Sequence, residues 1–244
     1  MKIETYCLAH QEERVMPYFM RHYTQFSKVI LLEGHSTDRT CEIARDWGAE
    51  IRKVDSQNEV NDEIWTDLKN NCWKQSTADW VIICDVDEYV YHPHIIQYLE
   101  SIEHIAILPR LFNMMSEKFP TGKGQIYDEV QYGREGGAKL NLFRPSAITD
   151  INYGVGCHTA HPERNGNKVE PFVTSPIMTF HMRHLSRAYA LERNAYLFSR
   201  LSEVNKKHGW GYHLGPAPGE SMAEYVNKYN RWFNNESTAL IKVI

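Results

Sequence analysis

The chain has 244 residues, which is long enough for one sizeable hydrophobic core, and we expect a single domain over residues 1–244. Its 27 Lys and Arg against 31 Asp and Glu give a formal net charge of -4, which argues against a nucleic-acid partner and against a general attraction to an anionic membrane. No stretch stays apolar over the roughly 20 residues that cross a bilayer, so we expect no membrane insertion. The five cysteines are odd in number and lack CxxC spacing, which favours free thiols and a cytoplasmic location.

Residues 1–110 alternate strand and helix patterns. Four short apolar runs predict strands, and the segments between them predict helices from apolar spacing and from their end signals. The predicted strands are residues 2–8, 28–32, 51–54 and 80–84. The predicted helices are residues 15–26, a segment that is capped by Ser36 or Thr37 and ended by Gly48, and residues 60–75.

This alternation predicts an α/β fold, in which right-handed βαβ units form a mostly parallel central sheet flanked by helices. Residues 80–84, WVIIC, contain no polar residue, as expected of a central strand that is covered on both faces. In such doubly wound sheets, ligands bind outside the carboxyl ends of the strands. The loops at residues 9–13, 33–38 and 85–89 are therefore the places where we expect a site.

Beyond residue 110 the pattern weakens. Residues 117–139 are rich in glycine and charge without periodicity, and we expect a mobile lid or an acceptor-binding loop there. Residues 139–145 predict a strand. Apolar spacing predicts two appended C-terminal helices, over residues 186–207 and residues 221–234.

Asp85-Val86-Asp87-Glu88 directly follows the WVIIC run. Residues two apart in a strand share a face, so the carboxylates of Asp85 and Asp87 can converge on one ligand. Clustered carboxylates at a strand end suit a hard cation such as Mg²⁺ or Mn²⁺, which keeps open positions for phosphate oxygens. The alternative is a solvated acidic turn that caps a following helix.

Residues 33–40 (EGHSTDRT), Lys69-Asn70 and residues 80–88 (WVIICDVDE) together resemble glycosyltransferase family 2. Residues 33–40, EGHSTDRT, are similar to the family's second-strand motif, an acidic residue followed by a Ser-Thr-Asp-x-Thr turn, with Glu33 standing where the family has Asp. Lys69-Asn70 is similar to the family's basic residue plus Asn, and residues 80–88 resemble its strand with an Asp-x-Asp-Glu ending. The segments occur in order within residues 1–110, which is more specific than any one of them.

The resemblance implies a GT-A fold, which is Rossmann-like. It also implies a nucleoside-diphosphate sugar as the donor, with a UDP-sugar as the first candidate, and Mn²⁺ or Mg²⁺ as the cation. It divides the chain into a nucleotide-sugar-binding half, residues 1–110, and a half with the acceptor site and the C-terminal helices, residues 111–244. It implies that Glu33 meets the base, that Asp85 binds the ribose or the metal, and that Asp87 binds the metal. The other donor-site residues that it implies are Ala9, His10, Glu12, Lys69 and Val86.

The second half matches the family more loosely. Residues 180–186, FHMRHLS, resemble a segment of some bacterial members in which a His, followed five residues later by Ser, opens a helix and returns to the metal or the diphosphate. The resemblance thus implies His181 as a second metal ligand, with His184 as the nearer competitor. Arg183 and Arg187 are candidates to hold the diphosphate.

We expect the catalytic base near residues 154–158, where related enzymes have a carboxylate in a short His-Glu sequence. This chain has Thr159 in place of that Glu, so we take His158 as the base. Lys139, beside the glycine-rich segment, is a candidate contact of the phosphates. His158 and His161 lack a third ligand, so a zinc site is not expected. The rivals of His158 as the base are Glu129, Asp128, His161 and Glu163.

The resemblance implies transfer of a sugar from a nucleoside-diphosphate sugar to an acceptor hydroxyl, with Asp87 in catalysis. His158, the substitute for the family's carboxylate, is the second expected catalytic residue. It favours inversion at the anomeric carbon. The acceptor is expected to be a glycan, a lipid-linked sugar or a modified DNA base. Three other functions stay open: a nucleotidyltransferase, a metal-dependent hydrolase and a non-catalytic sugar- or nucleotide-binding module. The sequence does not predict an oligomeric state.

Overall fold

The computed structural model describes residues 1–173, 175–237 and 240–244. In chain order, the strands are β1 (Ile3–Ala9), β2 (Lys28–Glu33), β3 (Glu50–Lys53), β4 (Trp80–Asp85), β5 (Glu88–Tyr91), β6 (Ala106–Ile107), β7 (Arg110–Ser116), β8 (Tyr132–Ala138), β9 (Leu142–Phe143), β10 (Glu163–Arg164), β11 (Asn167–Lys168), β12 (Met178–Leu185) and β13 (Ile241–Lys242). The helices are α1 (Met16–Tyr23), α2 (Thr40–Asp46), α3 (Asp62–Asn71), α4 (Ile95–Ser101), α5 (Ile126–Glu129), α6 (Arg187–Ser199), α7 (Glu203–His208) and α8 (Met222–Ser237). Short 3-10 turns lie at Pro145–Ala147, Val155–Cys157 and Tyr212–Leu214. None of the described helices has the length and apolar character that crossing a bilayer requires.

The central sheet has six strands in the order β3-β2-β1-β4-β9-β6. The strands β3, β2, β1 and β4 run parallel, and β9 runs antiparallel to both β4 and β6. This confirms the predicted α/β fold with a largely parallel central sheet flanked by helices. The strand order reverses between β1 and β4, and the carboxyl ends of these two strands form the place where ligands bind in open sheets of this kind.

The strand β4 is buried on both faces. On one face Ile82 belongs to a core cluster that includes Phe19 of α1. On the other face Val81 belongs to a cluster with Trp73, just after α3. Because neither face of this strand meets water, its sequence is apolar throughout instead of alternating. The first cluster also contains Phe180 of β12, so the two predicted halves of the chain share one core.

A second sheet of five strands, in the order β13-β8-β7-β12-β5, is not predicted by the sequence patterns. Its strand β12 lies between β7, to which it is parallel, and β5, to which it is antiparallel. Residues 117–139, expected to be a loop, contain α5 and form β8 of this sheet. Glycine permits this close pairing, since a Cβ on Gly133 would lie 2.7 Å from the Sδ of Met114 on β7.

Several predicted helix ends differ from the structure. The helix expected to be capped by Ser36 or Thr37 begins only at Thr40. The helix expected over residues 186–207 is two helices, α6 and α7, which separate where Leu201 forms a bridge to Val60. In both places, hydrogen bonds to a distant part of the chain replace the next turn of helix.

Candidate functional site

A cavity of about 420 Å³ lies at the carboxyl ends of β1 and β4, with α3 and α6 along its sides. It gathers residues that lie far apart in the sequence, as the convergence of parallel strand ends requires. Glu33, which the sequence also predicts as a site residue, does not line this cavity. The sequence-predicted site residues that do line it are Ala9, His10, Glu12, Lys69, Asp85, Val86, Asp87, Lys139, His158 and His181.

The Ser-Thr-Asp-Arg-Thr turn, residues 36–40, holds the loop that follows β1. The side chain of Gln11 donates to Thr37 Oγ1 (2.8 Å) and accepts from the backbone N–H of Thr37 (3.0 Å). The hydroxyl of Thr40 accepts from the backbone N–H of Glu12 (2.6 Å). These contacts fix Glu12 at the cavity wall, and they explain why the turn does not cap a helix at its first residues.

Glu33 lies behind this turn. It is only 1% exposed, accepts a hydrogen bond from the backbone N–H of Ser36 and lies 3.7 Å from the Nζ of Lys53. Its carboxylate therefore faces the turn and not the cavity. Contact between Glu33 and a base remains a prediction, and it would require the turn to open.

His10 lines the cavity with both ring nitrogens engaged. Its Nδ1 contacts the carbonyl oxygen of Gly34, and its Nε2 lies 2.7 Å from the hydroxyl of Tyr196. The two rings are stacked, with centroids 5.9 Å apart. Burial lowers the pKa of His10, which favours the neutral ring. His10 thus offers a ligand a flat, uncharged ring and no free nitrogen.

Glu12 is paired with Arg193 of α6. The Nη2 of Arg193 donates to the Glu12 carboxylate and to the carbonyl oxygen of His10 (3.0 Å), and its Nη1 donates to the carbonyl oxygen of Gln11 (3.3 Å). Burial raises the pKa of Glu12 to about 8, opposed by Arg193 and assisted by the carboxylate of Asp87. One arginine therefore fixes α6 to the loop after β1 and closes one wall of the cavity.

Asp85 is neutralised by two buried lysines. Its Oδ1 lies 2.6 Å from the Nζ of Lys69, and its Oδ2 lies 3.3 Å from the Nζ of Lys139. Lys139 also lies 2.7 Å from Glu88 Oε1. Burial disfavours the charged carboxylate, yet the two ammonium groups hold the pKa of Asp85 well below its usual range. Both lysines are thus engaged by carboxylates of the turn, and a contact of Lys139 with phosphates stays a prediction.

Asp87 lies instead against His181. Its Oδ2 is 3.3 Å from the Nε2 of His181, whose Nδ1 is 3.1 Å from Asn113 Oδ1. The backbone carbonyl of Asp87 accepts from the N–H of Met182 at 2.7 Å. Burial opposes ionisation of Asp87, but His181 keeps the pKa of Asp87 below its ordinary value. The two carboxylates of the Asp-x-Asp turn thus have different partners, lysines for Asp85 and a histidine for Asp87.

A β-bulge in β12 accompanies the entry of Arg183 into the cavity wall. His181 pairs with Asn113 and His184 pairs with Met115, so β12 has one more residue than β7 between these two pairs. Arg183, inside the bulge, lines the cavity. Its guanidinium makes no hydrogen bond or salt bridge to any residue in the described part of the chain. A free guanidinium therefore lies beside the Asp87 and His181 pair.

The other candidates of this segment, His184 and Arg187, lie outside the cavity. The Nδ1 of His184 is 3.0 Å from the hydroxyl of Tyr229, and burial lowers the pKa of His184 to about 3. The Nη2 of Arg187 donates to Asn234 Oδ1 (2.7 Å), and its guanidinium covers the ring of Phe233. Both side chains join this segment to α8.

His158 follows the 3-10 turn Val155–Cys157 and lines the cavity. Burial and the positive charge of Lys139 lower the pKa of His158, which favours its neutral form. Its role as the base stays a prediction. The rivals that do not line the cavity are Glu129, Asp128, His161 and Glu163.

Other residues complete the cavity without having been identified from the sequence. The sequence did contain a signal for those on α6 and its C-cap. Tyr189, Arg193, Leu197 and Arg200 recur at spacings of three and four, which places two arginines on one side of this segment. No local pattern marks the others, which reach the cavity through tertiary contacts. The unforeseen lining residues include Trp65, Tyr189, Arg193, Leu197, Arg200, Trp210 and His213.

No family model and no curated protein matches the chain. Among solved structures, glucosyl-3-phosphoglycerate synthase from Mycobacterium tuberculosis, in complex with Mn²⁺, UDP and phosphoglyceric acid, matches with a TM-score of 0.34 and 20% identity over 46% of this chain and 43% of its own. S. aureus TarS matches with a TM-score of 0.43 and 14% identity over 84% of this chain and 41% of its own. The chain thus spans less than half of these proteins. At such low TM-scores the likenesses carry no conclusion about its function.

Proposed function

We propose that this chain is a glycosyltransferase that moves a sugar from a nucleoside-diphosphate sugar to an acceptor hydroxyl, with Mn²⁺ or Mg²⁺ bound in the cavity. The observation that carries the proposal is the 3.3 Å contact between Asp87 Oδ2 and His181 Nε2. It lies just after β4, at the end of the sheet where ligands bind in folds of this kind. The family resemblance of residues 1–110 and the free guanidinium of Arg183 support the same assignment.

The donor atoms fit a cation of this class. His181 can donate its Nδ1–H to Asn113 Oδ1, which leaves the lone pair of Nε2 facing Asp87. Mn²⁺ accepts carboxylate and imidazole ligands together with phosphate oxygens and water. Within the described residues, no cluster of three His, Cys, Asp or Glu side chains forms a metal site. The chain would therefore supply two ligands, and the diphosphate and water would supply the others.

Arg183 is the cation that the proposal assigns to the diphosphate. Lys69 and Lys139 are engaged by carboxylates of residues 85–88, whereas the guanidinium of Arg183 has no hydrogen-bonding partner in the described part of the chain. A guanidinium can bind phosphate oxygens through two parallel N–H donors. Its position two residues after His181 suits a group that neutralises phosphate next to the cation.

In the proposed reaction, the acceptor oxygen bonds to the anomeric carbon while the bond from that carbon to the diphosphate oxygen breaks. The cation, when bound, supplies Lewis-acid stabilisation of the departing diphosphate. Asp87 and His181 hold the cation, and Arg183 neutralises phosphate charge. His158 takes the acceptor's proton, which requires a neutral imidazole, the form that its lowered pKa favours. The proposal includes inversion, because the acceptor oxygen attacks the face of the anomeric carbon opposite the departing diphosphate.

A thermal-shift titration tests the proposal. UDP, GDP, CDP and TDP are each added with and without Mn²⁺. At least one is expected to raise the melting temperature more strongly when the metal is present, since a ligand that binds only the native state stabilises it by mass action. If all four fail to stabilise the protein with Mn²⁺ present, the donor-site assignment is wrong.

Product analysis separates this function from its alternatives. A transferase releases nucleoside diphosphate in step with the glycosylated acceptor. Release of pyrophosphate from a nucleoside triphosphate would indicate a nucleotidyltransferase, although the loop after β1, Gln11-Glu12-Glu13, is acidic and lacks the basic, glycine-rich character of that class. Turnover that no acceptor accelerates would indicate a hydrolase, and binding without turnover would indicate a non-catalytic module.

A further inference from the structure

Two buried N–H donors without partners belong to residues at the end of the cavity near α3 and α6. The Nε1 of Trp65 and the Nη1 of Arg200 make no hydrogen bond among the described residues. Both residues line the cavity. An unpartnered buried donor costs free energy, and native proteins leave few of them. The ligand that fits this end of the cavity should therefore present hydrogen-bond acceptors.

The surroundings of Trp65 are apolar, whereas the guanidinium of Arg200 contacts Asn58 and the ring of Tyr196. Val60, Leu201 and Leu214 form a buried cluster, and Trp65 and Leu197 pack against it. A doubly charged phosphate would lose its hydration in such a place at a large cost in free energy. A flat ring with carbonyl oxygens would keep its faces on apolar side chains and its oxygens on the two donors.

Arg200 is held in position at this end of the cavity. Its Nη2 donates to Asn58 Oδ1 (3.0 Å), and its carbonyl oxygen accepts from the N–H of Val60 (2.8 Å). Its guanidinium lies 5.3 Å from the ring centroid of Tyr196, whose hydroxyl contacts the ring of His10. The arginine is thus tied both to the loop after β3 and to the flat ring that lines the cavity after β1.

We propose that Trp65 and Arg200 recognise the base of the donor and select uracil over cytosine. Uracil presents two carbonyl oxygens, and cytosine has an amino group in place of one of them. That amino group is itself a donor and could not accept a hydrogen bond from Trp65 or Arg200. On entry of the base, both unpartnered N–H groups turn to the 4-carbonyl oxygen of uracil, which has two lone pairs and which cytosine lacks. This inference rests on the proposed function, since it treats the cavity as the site of a nucleoside-diphosphate sugar.

Calorimetric titration of the whole chain with UDP and with CDP, in the presence of Mn²⁺, tests the inference. The wild-type protein is expected to bind UDP about ten-fold more tightly than CDP, or better. Trp65→Phe keeps an aromatic ring but removes the N–H. It is expected to weaken UDP binding about five- to ten-fold and to change CDP binding little, so that the ratio of the two affinities falls.

Trp73→Phe is the matched control. The Nε1 of Trp73 is also buried without a partner, but its ring packs in the core against Phe143 and does not line the cavity. The same chemical change at Trp73 should leave the ratio of UDP to CDP affinity unchanged. Arg200→Lys, which keeps the charge but removes the planar donors, is expected to lower the ratio as Trp65→Phe does. It also carries the test if Trp65→Phe does not fold.

The outcomes separate this inference from the proposed function. Equal affinity for UDP and CDP in the wild-type protein, or an equal loss of both in Trp65→Phe, overturns base recognition by these residues and leaves the glycosyltransferase proposal in place. TDP is expected to bind like UDP because thymine keeps both carbonyl oxygens, and a preference for GDP overturns the inference. Failure of every nucleoside diphosphate to bind with Mn²⁺ overturns both.

Discussion

Asp87 Oδ2 and His181 Nε2 lie 3.3 Å apart because β12 pairs antiparallel with β5, which places His181 opposite Glu88. The N–H of Met182 also donates to the backbone carbonyl of Asp87 at 2.7 Å. The main chain therefore holds the proposed ligand pair together. Such preorganisation lowers the free-energy cost of forming a metal site.

We predict that Asp87→Asn lowers transfer activity by about 100-fold or more and removes the Mn²⁺-dependent stabilisation by nucleoside diphosphate, because a neutral amide is a poor ligand for a hard cation. Thermal shift and a transfer assay measure the two effects. Asp150→Asn, which removes an exposed carboxylate that pairs with Lys74, serves as the control and should change neither. Full activity of Asp87→Asn would remove Asp87 from the mechanism.

We predict that His181→Ala raises the Mn²⁺ concentration needed for half-maximal activity by about 10- to 100-fold. His184→Ala, on the other side of the bulge, is expected to lower the melting temperature, because its ring packs against Tyr229 and Trp232, but to leave that Mn²⁺ concentration unchanged. Metal titrations of the two variants under identical conditions give the comparison. If His184→Ala raised that Mn²⁺ concentration more than His181→Ala does, the assignment of His181 as the metal ligand would be wrong.

We predict that Lys139→Met lowers the free energy of unfolding by about 3–5 kcal/mol, because it leaves the buried carboxylate of Glu88 without its cation. The Lys139 and Glu88 side chains are only 6% and 3% exposed. Lys74→Met breaks a surface pair with Asp150, whose side chains are 40% and 48% exposed, and should cost no more than about 1 kcal/mol. Urea denaturation measures both, and equal losses would contradict the structural role of Lys139.

We predict an acid limb in the pH profile of kcat/KM that falls below pH 6.5, the ordinary value for histidine, because burial and Lys139 lower the pKa of His158. A general base acts in its neutral form, so the rate rises as the pH increases through this pKa and then levels. His158→Gln should lose this limb and about 100-fold or more in rate, while metal-dependent nucleotide binding persists. His161→Asn, outside the cavity, should keep the wild-type profile.

The sequence predicted β1 to β4 well, because each of these strands contains a local apolar run, such as WVIIC in β4. It did not predict β8, whose sequence YGREGGA is largely exposed and forms a strand through hydrogen bonds to β7 and β13. It also placed the start of α2 too early, because Thr37 and its neighbours bind Gln11 of another loop. Local patterns cannot report contacts of this kind.

The sequence by itself determined the α/β order of residues 1–110 and the loops where a site must form, since apolar periodicity and the geometry of parallel strands depend on local residues. Only the tertiary structure decided how the two carboxylates of the Asp-x-Asp turn differ. Lys69 and Lys139 reach Asp85 from separate parts of the chain, and β12 brings His181 to Asp87. Asp85 and Asp87 are residues of the same type, yet their carboxylates have different partners, because charges interact through space and not along the sequence.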